Sequence, residues 1–135
     1  FGYYNDPKLT EKNICDGWLC TGDIAQYNEK GWIKILGRQD NLIVRAGMNI
    51  YPSEIENELK KDLRVRDVHI YTIEDAKMGV QIAMKIVGDF NSIKEVKMLC
   101  TNMLPLYQVP AKIELCDNLP TNGSGKIMRK VASYD

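Results

Sequence analysis

Two pairs of short apolar runs in this sequence predict β-hairpins. Residues 24–27 and 32–36 are rich in apolar side chains and flank a polar turn that ends in glycine, which is a hairpin pattern. Residues 42–45 and 49–51 flank Ala46-Gly47-Met48 in the same way. We therefore expect a second, smaller hairpin with these three residues at its tip.

Two further segments predict helices. Pro52 suits the first position of a helix, where no backbone N–H is needed, and Ile55 and Leu59 follow one turn apart. Ser92 and Glu95 have the spacing of a capping box, in which the two side chains satisfy backbone N–H groups at a helix start. The residues that follow recur at helical spacing and predict a stripe facing the core: Val96, Leu99, Cys100 and Met103.

The remaining apolar runs, residues 68–73, 81–87 and 113–116, predict strands. One face of the middle run is formed by alternating apolar side chains: Ile82, Met84 and Ile86. Residues 1–17 are polar with turn signals, and we expect a loop there. Short antiparallel strands interleaved with two helices predict an α+β domain, in which a small antiparallel sheet packs with helices. Many small domains share this pattern, including regulatory ligand-binding modules.

The charge balance argues against two classes of partner. The 135 residues contain 18 basic and 18 acidic side chains, which alternate in sign, so nothing favours nucleic acid or an anionic membrane surface. No signal peptide and no apolar run of about 18 residues is visible, so we expect no membrane span and a cytoplasmic location. Because the sequence begins with Phe1, we expect it to be part of a longer protein.

The cysteines give no pattern of metal ligation. None forms a Cys-x-x-Cys pair, and the only histidine is His69, so we expect no metal site. A buried, reduced thiol is the better interpretation for each of Cys15, Cys20, Cys100 and Cys116.

Three polar segments could carry chemistry. Asp23 ends Thr21-Gly22-Asp23, and a carboxylate on a glycine-flanked loop can accept two hydrogen bonds from a cis-diol such as ribose. Arg38, in the segment 37–40, could hold phosphate or ribose oxygens. Taken alone, an ordinary turn and a surface salt bridge explain these residues better.

The third segment is the glycine-rich loop 123–126, which presents Lys126. A phosphate-binding P-loop would need glycine in place of Pro120 and serine or threonine in place of Ile127, so that interpretation fails. What remains is a lysine on a flexible loop, which without further context is a solvated side chain.

In their order along the chain, three motifs resemble the AMP-forming adenylating superfamily, which holds acyl-CoA synthetases, peptide-synthetase adenylation domains and firefly luciferase. The motifs are residues 16–23 (DGWLCTGD), 37–56 (GRQDNLIVRAGMNIYPSEIE) and 119–127 (LPTNGSGKI), and the resemblance covers almost the whole chain. Residues 49–56 are more similar to acyl-CoA synthetases, because peptide-synthetase domains tend to carry a charged residue in place of Tyr51-Pro52.

The resemblance implies two domains and a set of nucleotide contacts. Residues 1–38 would form the C-terminal edge of a large N-terminal domain, and residues 39–135 a small mobile lid. Asp23 would hold the ribose hydroxyls of ATP and AMP, and Arg38 would support the ribose and phosphates. Asp40 would occupy the hinge on which the lid rotates.

The resemblance also implies roles in two half-reactions. Lys126 would be the catalytic lysine of the first, in which a carboxylate attacks the α-phosphate of ATP. A cation placed between these anions stabilises the charge that develops. In the second half-reaction a thiol displaces AMP, and Ala46, Gly47 and Met48 would line the tunnel through which that thiol enters.

The function implied is therefore that of an ATP-dependent acid–thiol ligase. Its partners would be a carboxylic acid, ATP with Mg²⁺ bound mainly by the large domain, coenzyme A as co-substrate, and the chain's own N-terminal domain. This chain alone should be inactive without that domain. A carrier-protein thiol is the alternative acceptor. An alternative of another class is a non-catalytic α+β module for a small ligand or partner, in which Asp23, Arg38 and Lys126 would be dispensable.

Overall fold

The computed structural model describes residues 2–119, and Lys126 with its glycine-rich loop therefore lies outside the described residues. The chain divides into two compact units, Phe1–Asn41 and Leu42–Asp135. No helix in the described part is long and apolar enough to cross a membrane. Within the same residues, no group of three or more His, Cys, Asp or Glu side chains is arranged to hold a metal ion.

The first unit consists of a short helix and two antiparallel hairpins. Its elements are α1 (Pro7–Asn13), β1 (Ile14–Cys15), β2 (Trp18–Leu19), β3 (Asp23–Tyr27), β4 (Ile33–Arg38) and a 3-10 turn at Gln39–Asn41. The hairpin of β3 and β4 confirms the sequence prediction. The loop expected for residues 1–17 is wrong, because Asp6 caps α1 by accepting the Leu9 N–H at 2.9 Å and Pro7 occupies its first position.

The second unit contains the predicted small hairpin, two helices and a three-stranded sheet. Its elements are β5 (Ile43–Arg45), β6 (Met48–Ile50), α2 (Pro52–Leu59), β7 (Val65–Asp75), β8 (Gly79–Gly88), α3 (Ile93–Met103), a 3-10 turn at Leu106–Gln108 and β9 (Lys112–Leu115). The predicted start of each helix is confirmed. Ser92 Oγ accepts the Glu95 N–H at 3.3 Å, but the Glu95 carboxylate reaches back to the N–H of Asn91, one residue before the cap.

The sheet of the second unit has the order β7-β8-β9. β7 and β8 pair antiparallel over almost their whole lengths, whereas β8 and β9 run parallel, with Met84 opposite Ile113. The expected all-antiparallel sheet is therefore incorrect at β9. The reason is α3, which lies between the two strands in sequence and carries the chain back to the end from which β8 started. The α+β class is confirmed.

The core of the second unit lies between one face of this sheet and the two helices. Ile82, Met84 and Ile86 are fully buried there, as their alternation predicts, and Ile55 and Leu59 of α2 are fully buried against them. The predicted stripe of α3 is buried at Val96, Leu99 and Cys100, and Met103 packs against it. The spacing of apolar residues in the sequence therefore predicts both layers of this core, the face of the sheet and the two helices that cover it.

The cysteines follow the sequence expectation only in part. All four are free, but only Cys100 is buried. Cys116 is half-buried, and Cys15 and Cys20 are exposed. Their burial was wrongly predicted because Cys15 ends β1 and Cys20 directly follows β2, and these strands of two residues each are too short to have an interior face.

Candidate functional site

Asp23 and Arg38 form an ion pair at the open end of the hairpin β3–β4. They lie directly opposite each other across the two strands, and Arg38 Nη1 is 3.1 Å from Asp23 Oδ1. The same guanidinium nitrogen donates to the carbonyl oxygen of Thr21. The two residues that the sequence singled out separately, 15 positions apart, are therefore one structural feature.

A β-bulge brings this pair together. Near the turn of the hairpin, Tyr27 pairs with Ile33 and Ala25 pairs with Ile35. If the same register continued to the open end, Asp23 would lie opposite Gly37. An irregularity between Ile24 and Ala25 shifts the pairing by one residue, so that Asp23 faces Arg38. Bulges commonly re-aim side chains beside functional sites. Here the bulge places the cation and the carboxylate on one face.

The loop before Asp23 fits closely around the guanidinium. Gly22 has a φ of +73°, and a Cβ built there would lie 3.0 Å from Arg38 Nη2, so both the backbone angle and the lack of space favour glycine. The hydroxyl of Thr21 accepts the Asp23 N–H at 3.1 Å, and the Gly22 carbonyl accepts the Gln39 N–H at 2.8 Å. The loop is thus held to the start of β3 and to the residue that follows β4, both at the open end of the hairpin.

The Asp23 carboxylate keeps one oxygen for a ligand. Oδ1 is engaged by Arg38, whereas Oδ2 accepts no hydrogen bond from residues 2–119. The side chain remains 35% exposed. A carboxylate oxygen that is fixed, accessible and adjacent to a cation fits one or two hydroxyl groups of a sugar, with the guanidinium turned toward attached anionic groups.

Asp40 lies at the end of the same unit. It belongs to the 3-10 turn Gln39–Asn41, its side chain is 82% exposed, and its Oδ2 is 3.7 Å from Arg38 Nη2. A contact that long between exposed groups restrains the residue little. The boundary between the compact units follows directly after Asn41.

Ala46 and Gly47 form the tip of the hairpin β5–β6 in the second unit. Arg45 pairs with Met48, and the two residues between them have φ values of +49° and +76°, which is the geometry of a type I′ turn. All three predicted tunnel residues, Ala46, Gly47 and Met48, are exposed, and a Cβ on Gly47 would meet nothing within 4 Å. Ile43 and Ile50 are buried in the core below.

The sequence interpretation missed one contact beside this site. Across the hairpin β1–β2 the Cys15 side chain hydrogen-bonds to the Cys20 thiol, and this bond and the charge of an ionised Cys15 raise the pKa of Cys20. The signal was present in the sequence, because Asp16-Gly17 is a two-residue turn of the type I′ class and the cysteines lie on either side of it.

Known proteins share both the sequence and the fold. No protein-family model matches the chain. The human mitochondrial medium-chain acyl-CoA ligase ACSF2 is 35% identical over 132 residues, and the 2-succinylbenzoate–CoA ligase of Listeria monocytogenes is 36% identical over 129 residues; each match covers 95% of this chain. The chain spans only 22% and 28%, respectively, of the length of these two relatives.

The solved structures give the same result. The o-succinylbenzoate CoA synthetase MenE of Bacillus subtilis, solved in complex with its acyl-adenylate intermediate, superposes with a TM-score of 0.85 and 33% identity. That match covers 95% of this chain and 27% of MenE. The two comparisons agree with each other, and with the motifs that surround Asp23, Arg38 and Asp40. The chain therefore belongs, as a C-terminal region, to the AMP-forming adenylating superfamily.

Proposed function

We propose that this chain is the C-terminal part of an ATP-dependent acid–thiol ligase, which activates a carboxylic acid as acyl-AMP and transfers the acyl group to coenzyme A. The observation that carries the proposal is the Asp23–Arg38 pair, whose accessible carboxylate oxygen and adjacent guanidinium fit the ribose and phosphate of a nucleotide. The two CoA ligases that match 95% of the chain support the acceptor. MenE, whose structures contain ATP with magnesium and the acyl-adenylate, supports the intermediate.

Each residue has a distinct part in this proposal. Asp23 accepts hydrogen bonds from the ribose hydroxyls, and Arg38 orients Asp23 and faces the phosphate side. Lys126, outside the described residues, supplies the cation of the adenylation step, in which a carboxylate oxygen attacks the α-phosphate and pyrophosphate leaves. Residues 1–38 are the edge of the large domain and residues 39–135 the lid.

The thiol step is proposed to use the second unit. Asp40 is the hinge, since it is nearly free of side-chain restraint and one residue from the boundary between the units. Ala46 and Gly47 at the tip of the hairpin β5–β6, together with Met48 at the start of β6, line the thiol tunnel. A Cβ on Gly47 would meet no atom within 4 Å, although the φ of +76° strains any L side chain there. If a larger side chain at this position blocks the thiol step, we therefore expect the block to arise against parts of the protein outside this unit.

The decisive experiment measures both half-reactions of the full-length protein. Pyrophosphate exchange reports adenylation, and conversion of supplied acyl-AMP to thioester reports the thiol step. Asp23→Asn should raise the KM for ATP at least about tenfold, a loss of about 1.4 kcal/mol in binding. It should change the free energy of unfolding by less than about 1 kcal/mol, because the pair is exposed.

Asp67→Asn is the matched control. Asp67 and Lys60 form an ion pair of similar exposure, 37% and 43%, at 2.7 Å in the second unit. This variant should therefore have the same small effect on stability and none on the KM for ATP. Equal kinetic effects of the two substitutions would contradict the nucleotide role of Asp23, and the non-catalytic alternative predicts that outcome.

The same assays separate the other roles. Lys126→Ala should abolish pyrophosphate exchange and spare the thiol step, whereas Asp40→Pro and Gly47→Leu should do the reverse. Comparing coenzyme A with a phosphopantetheinyl carrier protein identifies the acceptor. If acyl-AMP forms but only the carrier protein is loaded, the coenzyme A assignment is wrong and the adenylation assignment stands.

The cytoplasm is the compartment we propose. The human relative is mitochondrial by name, so fractionation of cells that express the full-length protein is the direct test. Recovery with mitochondria would overturn the proposed compartment without affecting the enzymatic assignment.

A further inference from the structure

Two cysteines lie on one face of the hairpin β1–β2. Asp16 and Gly17 form its turn with φ values of +51° and +82°, and Cys15 pairs with Trp18 across it. The Cys20 N–H donates to the Asn13 carbonyl at 2.8 Å, which continues the ladder beyond β2. Cys20 is two residues after Trp18, and alternate residues of a strand share a face. Cys15 and Cys20 are therefore diagonal neighbours on the same face.

Both cysteines are exposed and free, and they lie on the same face of the hairpin. A side-chain hydrogen bond from Cys15 and the charge of an ionised Cys15 raise the pKa of the Cys20 thiol. A pair of this kind differs from a lone surface cysteine, because once one cysteine has formed a mixed disulfide, the other can attack it and close a disulfide within the protein.

The other two cysteines lack these properties. Cys100 is fully buried in α3, and burial raises the pKa of its thiol to about 11, which leaves little reactive thiolate at neutral pH. Cys116 is half-buried, and its Sγ lies 3.8 Å from the Glu114 carbonyl. A reagent in solution should therefore react with Cys15 and Cys20 first.

The pair is directly connected to the candidate nucleotide site. Cys20 is bonded to Thr21, whose carbonyl accepts from Arg38 and whose hydroxyl accepts the Asp23 N–H at 3.1 Å. Diagonal neighbours in an antiparallel pair have Cα atoms about 7–8 Å apart. A disulfide needs about 4.4–6.8 Å, so closing one here would pull the backbone of Cys20 toward Cys15. Thr21 would move with it.

We propose that Cys15 and Cys20 are a reversible thiol–disulfide site, oxidised by a low-molecular-weight disulfide such as glutathione disulfide, and that closing it weakens nucleotide binding through Thr21. The Cys15 thiolate attacks one sulfur of the small disulfide and expels one thiolate, which leaves a mixed disulfide. Cys20 then loses its proton to solvent and attacks the Cys15 sulfur, which expels the second thiolate. Two protein thiols are thereby oxidised, and one small disulfide is reduced to two thiols.

The first test is chemical and does not depend on the proposed function. Full-length protein is equilibrated in glutathione buffers of increasing oxidation, quenched with acid, alkylated and mapped by mass spectrometry. The peptide with both cysteines should lose two hydrogens, whereas Cys15→Ser and Cys20→Ser should each retain one bound glutathione on the remaining cysteine. Cys116→Ser, the matched control, should behave as wild type. Glutathione adducts on both cysteines of the wild type, or no oxidation, would overturn the site.

The second test measures the link to the nucleotide and rests on the proposed function. ATP affinity of the oxidised full-length protein should be at least about fivefold weaker than that of the reduced protein. Dithiothreitol should restore it, and the Cys15→Ser/Cys20→Ser double variant should not respond. A disulfide that leaves ATP affinity unchanged would refute the link. Failure of the reduced protein to bind ATP would instead refute the proposed function.

Discussion

Single residues at the tip of the hairpin β5–β6 hold an unusual backbone conformation. Ala46 has a φ of +49°, a region in which an L side chain approaches the following carbonyl at a cost of about 1–2 kcal/mol. Gly47, its neighbour, adopts its φ of +76° without such a cost. Strain of this kind collects at functional positions. It agrees with the proposed place of this tip in the thiol step.

Ala46→Asn tests the strain. Asparagine tolerates the left-handed region, and Asn-Gly is a favoured pair in type I′ turns, so the variant should be more stable by about 0.5–1 kcal/mol. Urea unfolding of the protein measures the change. Ala46→Ser is the control, because serine adds a polar group without that conformational preference and should give no gain. Equal stabilisation by both would mean that relief of strain is not the cause.

At the scale of elements, α2 is tied to the free edge of β7. Glu56 is buried, and its Oε1 accepts the Ile70 N–H at 3.0 Å. Among the strands of residues 2–119, β7 is an edge strand of the sheet β7-β8-β9, so this carboxylate satisfies a backbone donor that no other of these strands reaches. His69 Nδ1 lies 3.5 Å from the same oxygen, too long for a good hydrogen bond. The Glu56 carboxylate therefore joins α2 to the backbone of β7 at Ile70.

Replacing Glu56 by alanine should cost about 1–3 kcal/mol of unfolding free energy, because the buried Ile70 N–H loses its acceptor. Glu56→Gln keeps a carbonyl oxygen at that position and should cost less. Chemical denaturation of the three proteins measures the difference. Glu58→Ala on the same helix removes only a surface pair with Lys61 and should stay within about 0.5 kcal/mol of wild type. Equal losses at positions 56 and 58 would show that helix propensity dominates.

The sequence predicted those elements whose signals are local. Turn residues located both hairpins, and Ser92 located the start of α3, because caps and turns depend on neighbours only a few residues away. The same rules could have found α1 from Asp6 and Pro7. That helix buries no residue, so it has no apolar stripe to accompany the cap signal, and it was missed.

Features that depend on register or on chain path could not be predicted in this way. The parallel direction of β9 depends on how α3 crosses the sheet, and no local pattern of residues 112–115 encodes it. The Asp23–Arg38 contact requires a bulge that shifts the pairing by one residue, and both amino acids look like ordinary surface residues without it. The motifs indicated the two residues, and the structure supplied their contact.

At the scale of the whole molecule, the two units differ in how they bury apolar side chains. Every residue of the core cluster belongs to the second unit, from Ile43 to Leu104. In the first unit, by contrast, no residue from 2 to 41 is buried. Its large apolar side chains are open to solvent, with Trp18 and Tyr27 each 79% exposed, Trp32 73% and Ile33 72%. An isolated hairpin with such a surface is marginally stable in water.

Residues 42–135 alone should therefore unfold cooperatively, with a Tm within about 4 °C of that of the whole chain. We expect the first unit to contribute less than about 1 kcal/mol to the stability of the second, and about 1 kcal/mol corresponds to a change in Tm of about 4–8 °C in a domain of this size. Calorimetry of both proteins measures this, and hydrogen exchange should show fast exchange throughout residues 2–41 of the whole chain. In the full-length ligase the amides of the hairpin β3–β4 should become protected, because its exposed side chains, Tyr27, Trp32 and Ile33, then contact the large domain that we propose to precede them. A large loss of Tm on removing residues 1–41 would show that the first unit contributes to the fold of the second. Fast exchange in the full-length protein would contradict the assignment of residues 1–38 to the edge of a large domain.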